Sequence, residues 1–522
     1  MSHHNPFSDT IVVVDYGGQT AQLITRRVRE HGVYCELIPY DAPPERIQEL
    51  EPRGFILSGG PNSVYEEGAP HLPDWVGDGD RPILGICYGM QLLAHTRGGA
   101  VAPSQHREYG LAEVELDVEL PLFQGLPTRM TAWMSHGDRV EQLPEGFRPL
   151  GHTSNAPLAI MGDPERDIYA VQFHPEVAHT PRGSALIGNF VREVCGCAGD
   201  WTPAHFIETS VAEVREQVGD GRVLVAVSGG VDSSVMAALV HRAVGNEMLA
   251  LFIDHGLLRE GEREEVATLC EGLGIDVRMI DAREAFLEAL KGVVDPERKR
   301  RIIGETFVRT FEREAAAVGE YAFLAQGTLY PDVIESANAA DTKAAHKIKT
   351  HHNVGGLPED IEFEVIEPLR FLFKDEVRRV GRELGLEEST VMRQPFPGPG
   401  LAVRILDAVD EESLATLRAA DAIVRHEIEA DGPDKLGDEF PWQYFAVLTP
   451  LRSVGVMGDQ PTYGQMVAVR AVTSTDGMTA DWARLPHDLL GRIANRIVNE
   501  VPGINRVVYD ITSKPPGTIE WE

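Results

Sequence analysis

Short apolar runs that stop at Gly-rich turns and pass directly into helical spacing recur along this chain, and they leave few folds open. Ile11 to Asp15 ends at Tyr16-Gly17-Gly18, and Thr20 to His31 then carries Leu23, Ile24 and Val28 on one helical face. Phe55 to Leu57 ends at Ser58-Gly59-Gly60-Pro61, and Ile83 to Ile86 passes through Cys87 into a helical stretch, Tyr88 to His95. After a break near Gly196 to Pro203 the alternation restarts. Val223 to Val227 predicts a strand, Ser228 to Ser233 a turn, Val235 to Val244 a helix and Leu249 to Ile253 the next strand. Alternating strands and helices predict mostly parallel sheets, with functional loops at the carboxyl ends of the strands.

The stretch Pro395-Phe396-Pro397-Gly398-Pro399-Gly400 is a rigid breaker. Beyond it, helical spacing over Glu411 to Glu429 and short strand patterns at Met466 to Val472 and Arg506 to Asp510 predict a smaller α+β domain. The expected fold is therefore α/β: two parallel-sheet domains over 9–197 and 201–395, then a small α+β domain over 396–522.

The formal net charge is -33. Such a surface repels nucleic acid and anionic lipid, so neither is an expected partner, and an anionic ligand must meet a local basic pocket. A salt-tolerant surface accounts for the acidity equally well. No apolar run approaches the ~20 residues of a membrane span, and Met1 to Thr10 has no basic segment leading into an apolar one. Cysteines 35, 87, 195, 197 and 270 are odd in number and scattered, which points to reduced thiols and a cytoplasmic setting.

Cys87 is flanked by Gly85 and Gly89. Small residues two positions either side of a nucleophile permit a sharp strand-to-helix elbow. The sulfur then sits at a helix N-terminus, where the dipole and free amides favour thiolate. The amide of Tyr88 is positioned for an oxyanion, and the Gly59-Gly60 turn is the expected source of a second donor. In Gln172-Phe173-His174-Pro175-Glu176, His174 follows a strand-like run, and Glu176 is near enough to hold its second ring nitrogen. A lone cysteine is more often a core residue and a lone histidine more often structural. The combination, with the Ser-Gly-Gly-Pro turn, resembles the class I glutamine amidotransferase family. That resemblance implies Cys87 as nucleophile, His174 as base, Glu176 as its orienter and glutamine as substrate. It also suggests Gln91 and a Ser135-His136-Gly137-Asp138 loop beside the glutamine pocket.

Ser228-Gly229-Gly230-Val231-Asp232-Ser233-Ser234 follows a strand and opens a helix. Its amides can converge on phosphate, its hydroxyls can donate, and Asp232 can hold Mg2+. It lacks the Lys-Ser/Thr ending of a Walker A loop. It resembles the ATP-pyrophosphatase family, which cleaves ATP between the α and β phosphates and so implies an adenine-nucleotide α-hydrolase-like fold.

Further segments resemble the GMP synthetase family: Lys299 to Gly304, Gln326 to Ser336, His351 to Leu357 and Ser513 to Glu522. The resemblance covers nearly the whole chain. It implies XMP, ATP and glutamine as substrates, Mg2+ with ATP, and a homodimer formed through the last domain. Arg300 and Lys514 are candidates for the XMP phosphate, and Glu520 for a base or ribose donor. Lys514 alone would usually be a solvated lysine, and Lys299 to Arg301 a solvated helix face. Asp332, Glu335, Lys374 and a His351-His352 loop over the nucleotide rest on the resemblance only. Pro461 stands where the family pattern has arginine nearby, and His255 where it has asparagine. An amidotransferase that adenylates another acceptor, or a nucleotide sensor that keeps the fold, would share these motifs.

Overall fold

The computed structural model describes residues 9–77, 79–116, 120–319, 321–339, 363–457, 459–474, 477 and 479–522. The segment His351 to Leu357 and Gly458 lie outside the described residues. The chain divides into two compact units, Met1–Phe206 and Ile207–Glu522.

The first unit is built on one mixed sheet. Strands β1 (Thr10–Asp15), β2 (Tyr34–Pro39), β3 (Gly54–Leu57) and β4 (Ile83–Ile86) alternate with helices, as their apolar runs predict. They continue into β5 (Ala100–Leu116), β6 (Arg129–Gln142), β7 (Arg148–His152), β8 (Ile160–Asp163) and β9 (Ile168–Val171). The order is β2-β1-β3-β4-β9-β8-β7-β5-β6. The run from β2 to β9 is parallel. The rest is antiparallel, so the sheet is more mixed than the alternation implied. Buried on both faces, the parallel strands read as continuous apolar runs.

The second unit carries a five-stranded parallel sheet and a separate smaller one. The first contains β10 (Val223–Ala226), β11 (Met248–Asp254), β12 (Val277–Asp281), β13 (Phe323–Ala325) and β14 (Glu364–Ile366), in the order β12-β11-β10-β13-β14. The second is a long antiparallel pair, β15 (Gln443–Met457) and β16 (Gln460–Thr473), with β17 (Asp481–Trp482) and β18 (Ile504–Asp510) along β16. One apolar core joins both sheets, running from Leu224 and Leu257 through Leu401 and Leu417 to Leu448 and Ile497.

Local differences from the sequence reading have physical causes. The helix after β10 begins at Val231 rather than Val235, because Gly230 already has extended backbone and acts as its N-cap. The Ser135–Asp138 stretch is not a loop: it lies within β6, opposite β5. Ser135 is exposed, but His136 is buried against Glu108 and the backbone pairs with β5, so polarity alone misled. The strand predicted at Met466 to Val472 extends back to Gln460 and tolerates Pro461, which is exposed and paired with Val456.

Candidate functional site

In the first unit, the end of β4 and the end of β9 meet. Cys87 follows β4 with φ 52° and ψ -103°, a left-handed backbone that side-chain-bearing residues rarely adopt. The flanking glycines explain how this is possible. A Cβ on Gly85 would lie 2.8 Å from the Gly89 carbonyl oxygen, and one on Gly89 would lie 2.5 Å from the Leu57 carbonyl oxygen. Only hydrogen fits at either place, so the elbow closes tightly and helix Tyr88–Thr96 starts at once. Among the described residues, neither the Gly59 nor the Tyr88 N–H has a hydrogen-bond partner. Gly59 lies against the reactive pair: a Cβ there would be 3.1 Å from His174 Cε1 and 3.8 Å from Cys87 Cβ.

His174 Nδ1 donates to Glu176 Oε1 at 2.7 Å, and Glu176 is fully buried. The imidazole's Nε2 is left for the sulfur. Burial works against a charged ring, but bonds to Cys87 and to the Glu176 carboxylate outweigh it and raise His174 to about 10. The ring beside the sulfur is therefore held as imidazolium. A raised imidazolium pKa means that the stabilisation contributed by the charged His174 ring is complete below the free value of ~6.5 and is lost as pH rises through about 10.

Two contacts escaped the sequence reading. Gln172 Nε2 lies 3.7 Å from Cys87 Sγ, and its Oε1 accepts from Gln91 Nε2 at 3.4 Å. Gln91 Nε2 also donates to the Asp138 carbonyl at 3.0 Å. Gln91 and Ser135–Asp138 are thus brought to the elbow, with the Ser135 carbonyl 3.8 Å from the sulfur. Position beside His174 was the only signal for Gln172.

The Glu176 carboxylate helps hold the His174 ring charged. In Glu176→Gln the ring loses the carboxylate that holds it charged, so the His174 titration followed by NMR should move down from about 10 toward the free value of ~6.5. Glutamine turnover should fall by about 10²–10⁴-fold, the size of a general acid–base contribution. Wild-type turnover with an unchanged His174 titration would remove Glu176 from the constellation.

In the second unit, a cavity of about 590 Å3 opens at the carboxyl ends of β10 and β11. Ser228, Asp232 and Ser233 line it on one side, and Arg300, Asp332 and Lys374 line it elsewhere. Gly229 has φ 77°. The Ser233 and Ser234 hydroxyls donate to the Gly230 carbonyl at 3.0 and 2.8 Å, which locks the loop onto its helix. Val231 and Asp232 form the first turn of that helix, where its dipole favours an anion. Asp232 Oδ2 accepts from Lys374 Nζ at 3.3 Å, while the buried Oδ1 has no partner among the described residues. An orphaned carboxylate oxygen beside a phosphate-type loop fits a hard cation.

The three residues expected to hold XMP are not gathered together. Arg300 lines the cavity, and its Nη2 donates to the Glu522 carbonyl. Lys514 and Glu520 are not on the cavity lining. Lys514 Nζ donates to the Gly477 carbonyl at 2.7 Å. Glu520 is held by Arg404 at 2.8 Å and by Gln443 at 2.9 Å. Lys299 is no solvated lysine: it is fully buried and bonds Ala402, Ile405 and Glu522. Asp332 accepts from the Leu329 amide at 3.0 Å, and Glu335 lies in helix Tyr330–Ala339. His255 also lines the cavity. Its Nδ1 accepts from the Leu257 amide at 3.0 Å, the bond to residue i+2 that an asparagine side chain would accept. Burial pushes His255 down to about 4, so it is neutral and keeps its remaining proton on Nε2.

Three family models match the chain in succession. Glutamine amidotransferase class-I matches residues 12–194, the PP-loop domain 203–303, and the GMP synthase C terminal domain 434–521. A GMP synthase [glutamine-hydrolyzing] from Thermomicrobium roseum is 62 % identical over 99 % of this chain and 97 % of its own. Proteins of the same name are 58 % identical in Caldicellulosiruptor saccharolyticus and 56 % in Carboxydothermus hydrogenoformans, each over 98 % of this chain and 99 % of their own. With both sites on one chain and likeness along its whole length, this protein belongs to the family of glutamine-hydrolysing GMP synthases.

Proposed function

We propose that the chain converts XMP, ATP, glutamine and water into GMP, AMP, pyrophosphate and glutamate. The observation that carries this reading is the pairing, in one chain, of a strained thiol elbow with a phosphate-type loop.

In the glutaminase half, Cys87 thiolate attacks the side-chain amide carbon of glutamine. The carbonyl electrons move onto oxygen, which the Gly59 and Tyr88 amides receive. His174 gives its proton to the departing nitrogen, and ammonia leaves behind a thioester. A water that loses a proton to His174 then releases glutamate and restores the thiolate. Glu176 keeps the imidazole oriented throughout.

In the synthetase half, the loop Ser228–Ser234 holds the ATP phosphates through its amides and hydroxyls. Asp232 would hold Mg2+, which supplies charge neutralisation to departing pyrophosphate. The XMP C2 oxygen attacks the α-phosphorus, so that AMP becomes the leaving group that ammonia displaces. Arg300 is the proposed phosphate ligand for XMP. Lys514 and Glu520 join it only on release from Gly477 and from Arg404.

A homodimer through the last ~120 residues belongs to this reading. What supports it is an exposed apolar face on the small sheet, formed by Leu451, Val454, Val456 and Tyr463. A cytoplasmic location is proposed as well; among the described residues no helix is long and apolar enough to cross a membrane.

Acceptor choice is the test. With ammonium supplied, ATP should be split to AMP only when XMP is present. AMP formation driven instead by UTP or by deamido-NAD would move the chain's chemistry to another acceptor.

A further inference from the structure

The ATP loop has a grip on it that neither motif contains. Arg393 follows the short helix Glu388–Val391 and reaches across 164 residues to the loop. Its Nη1 donates to the Gly229 carbonyl at 2.6 Å, and its Nη2 donates to Glu262 at 2.6 Å and meets Glu265 at 3.0 Å. Glu262 is itself buried and fixed, accepting the Arg259 amide at 2.9 Å. The guanidinium is therefore a rigid bridge with its charge already balanced by carboxylates.

The carbonyl it holds belongs to a Gly–Gly peptide. In a trans peptide the C=O and N–H point in opposite directions. Between two glycines the whole group can turn over at little steric cost. Whatever holds the Gly229 oxygen therefore decides where the Gly230 N–H points. With Arg393 in place, that N–H lies 3.5 Å from Ser228 Oγ, among the hydroxyls that line the cavity. If the peptide turned over, a carbonyl oxygen would face the phosphates instead.

We propose that Arg393 is a positioning residue of the ATP site: it holds the Gly229–Gly230 peptide so that an amide, and not a carbonyl, faces the nucleotide phosphates. This rests on the reading of Ser228–Ser234 as the ATP loop. The same segment also reaches the small sheet, since Gln394 Oε1 accepts from the Tyr444 amide and the Pro395 carbonyl accepts from Gln443. A loss of general rigidity would therefore touch XMP binding as well as ATP binding, which gives the test its control.

The test is ammonia-driven synthesis by the full chain, with separate KM values for MgATP and XMP and a melting curve for each variant. Arg393→Gln should raise the KM for ATP by about tenfold to a hundredfold, the factor carried by one hydrogen bond to a charged group. Arg393→Lys keeps the charge and one donor, so it should recover part of that loss. Glu262→Gln, which frees the guanidinium while keeping side-chain shape, should shift the KM for ATP in the same direction and serves if the Arg393 variants fail to fold. The KM for XMP should stay within about threefold, as expected when only one ligand's contacts change. An unchanged KM for ATP in a folded variant, or ATP and XMP values that rise together, would overturn the proposal. A wild type that shows no saturation by ATP would instead sink the reading of the loop itself.

Discussion

Cys87→Ala should lose glutamine-driven GMP synthesis by about 10⁶-fold, the scale seen when a triad nucleophile is removed, and keep ammonia-driven synthesis. Alanine retains a Cβ, so the replacement meets the same positive-φ backbone that Cys87 occupies and changes little but the sulfur. The elbow's other constraints stay in place, with Gly85 and Gly89 still closing it. The measurement is GMP formed per minute with glutamine and, separately, with ammonium chloride. A variant that still used glutamine at the wild-type rate would mean that another group attacks the amide. A variant that lost both activities would mean that the sulfur does not act in the glutaminase half alone.

Asp232→Ala should lose both activities, by about 10³-fold, since it removes the group that would hold the charge-neutralising cation at the departing phosphates. Glutamine hydrolysis assayed alone should survive. The fold should survive too. Among the described residues Asp232 pairs only with Lys374, whose side chain is 46 % exposed, and an exposed pair of that kind is worth about 1 kcal/mol or less. Unchanged AMP production would assign the phosphate chemistry to another carboxylate on the cavity, with Asp332 on its lining as the alternative.

The parts of this account that were legible in the sequence are those fixed by local sterics. Gly85, Cys87 and Gly89 announce an elbow because only hydrogen fits at the flanks, and the observed backbone at Cys87 has that geometry. Ser228 to Ser234 announces a strand-turn-helix for the same kind of reason, though the helix takes over earlier, at Val231. The positions that stayed hidden depend on contacts between distant segments. Arg393 and Gly229 are 164 residues apart, and Gln172 and Cys87 are 85 apart. No local pattern marks such a pair. The antiparallel half of the first sheet was hidden for a related reason: Ser135 to Asp138 is polar enough to read as a loop, yet its partners across β5 hold it in a strand. Lys514 and Glu520 are held by partners 37 and 116 residues away, which sequence cannot show.

The central step is the movement of nitrogen from a glutamine amide to an adenylated purine on this one chain. Feed the protein XMP, Mg2+, ATP and glutamine labelled with 15N at its side-chain amide, then follow the products by mass. The expected products carry 15N in the exocyclic amino group of GMP, with one AMP and one pyrophosphate for each GMP made. ADP and orthophosphate in their place, or GMP without the label, would contradict it.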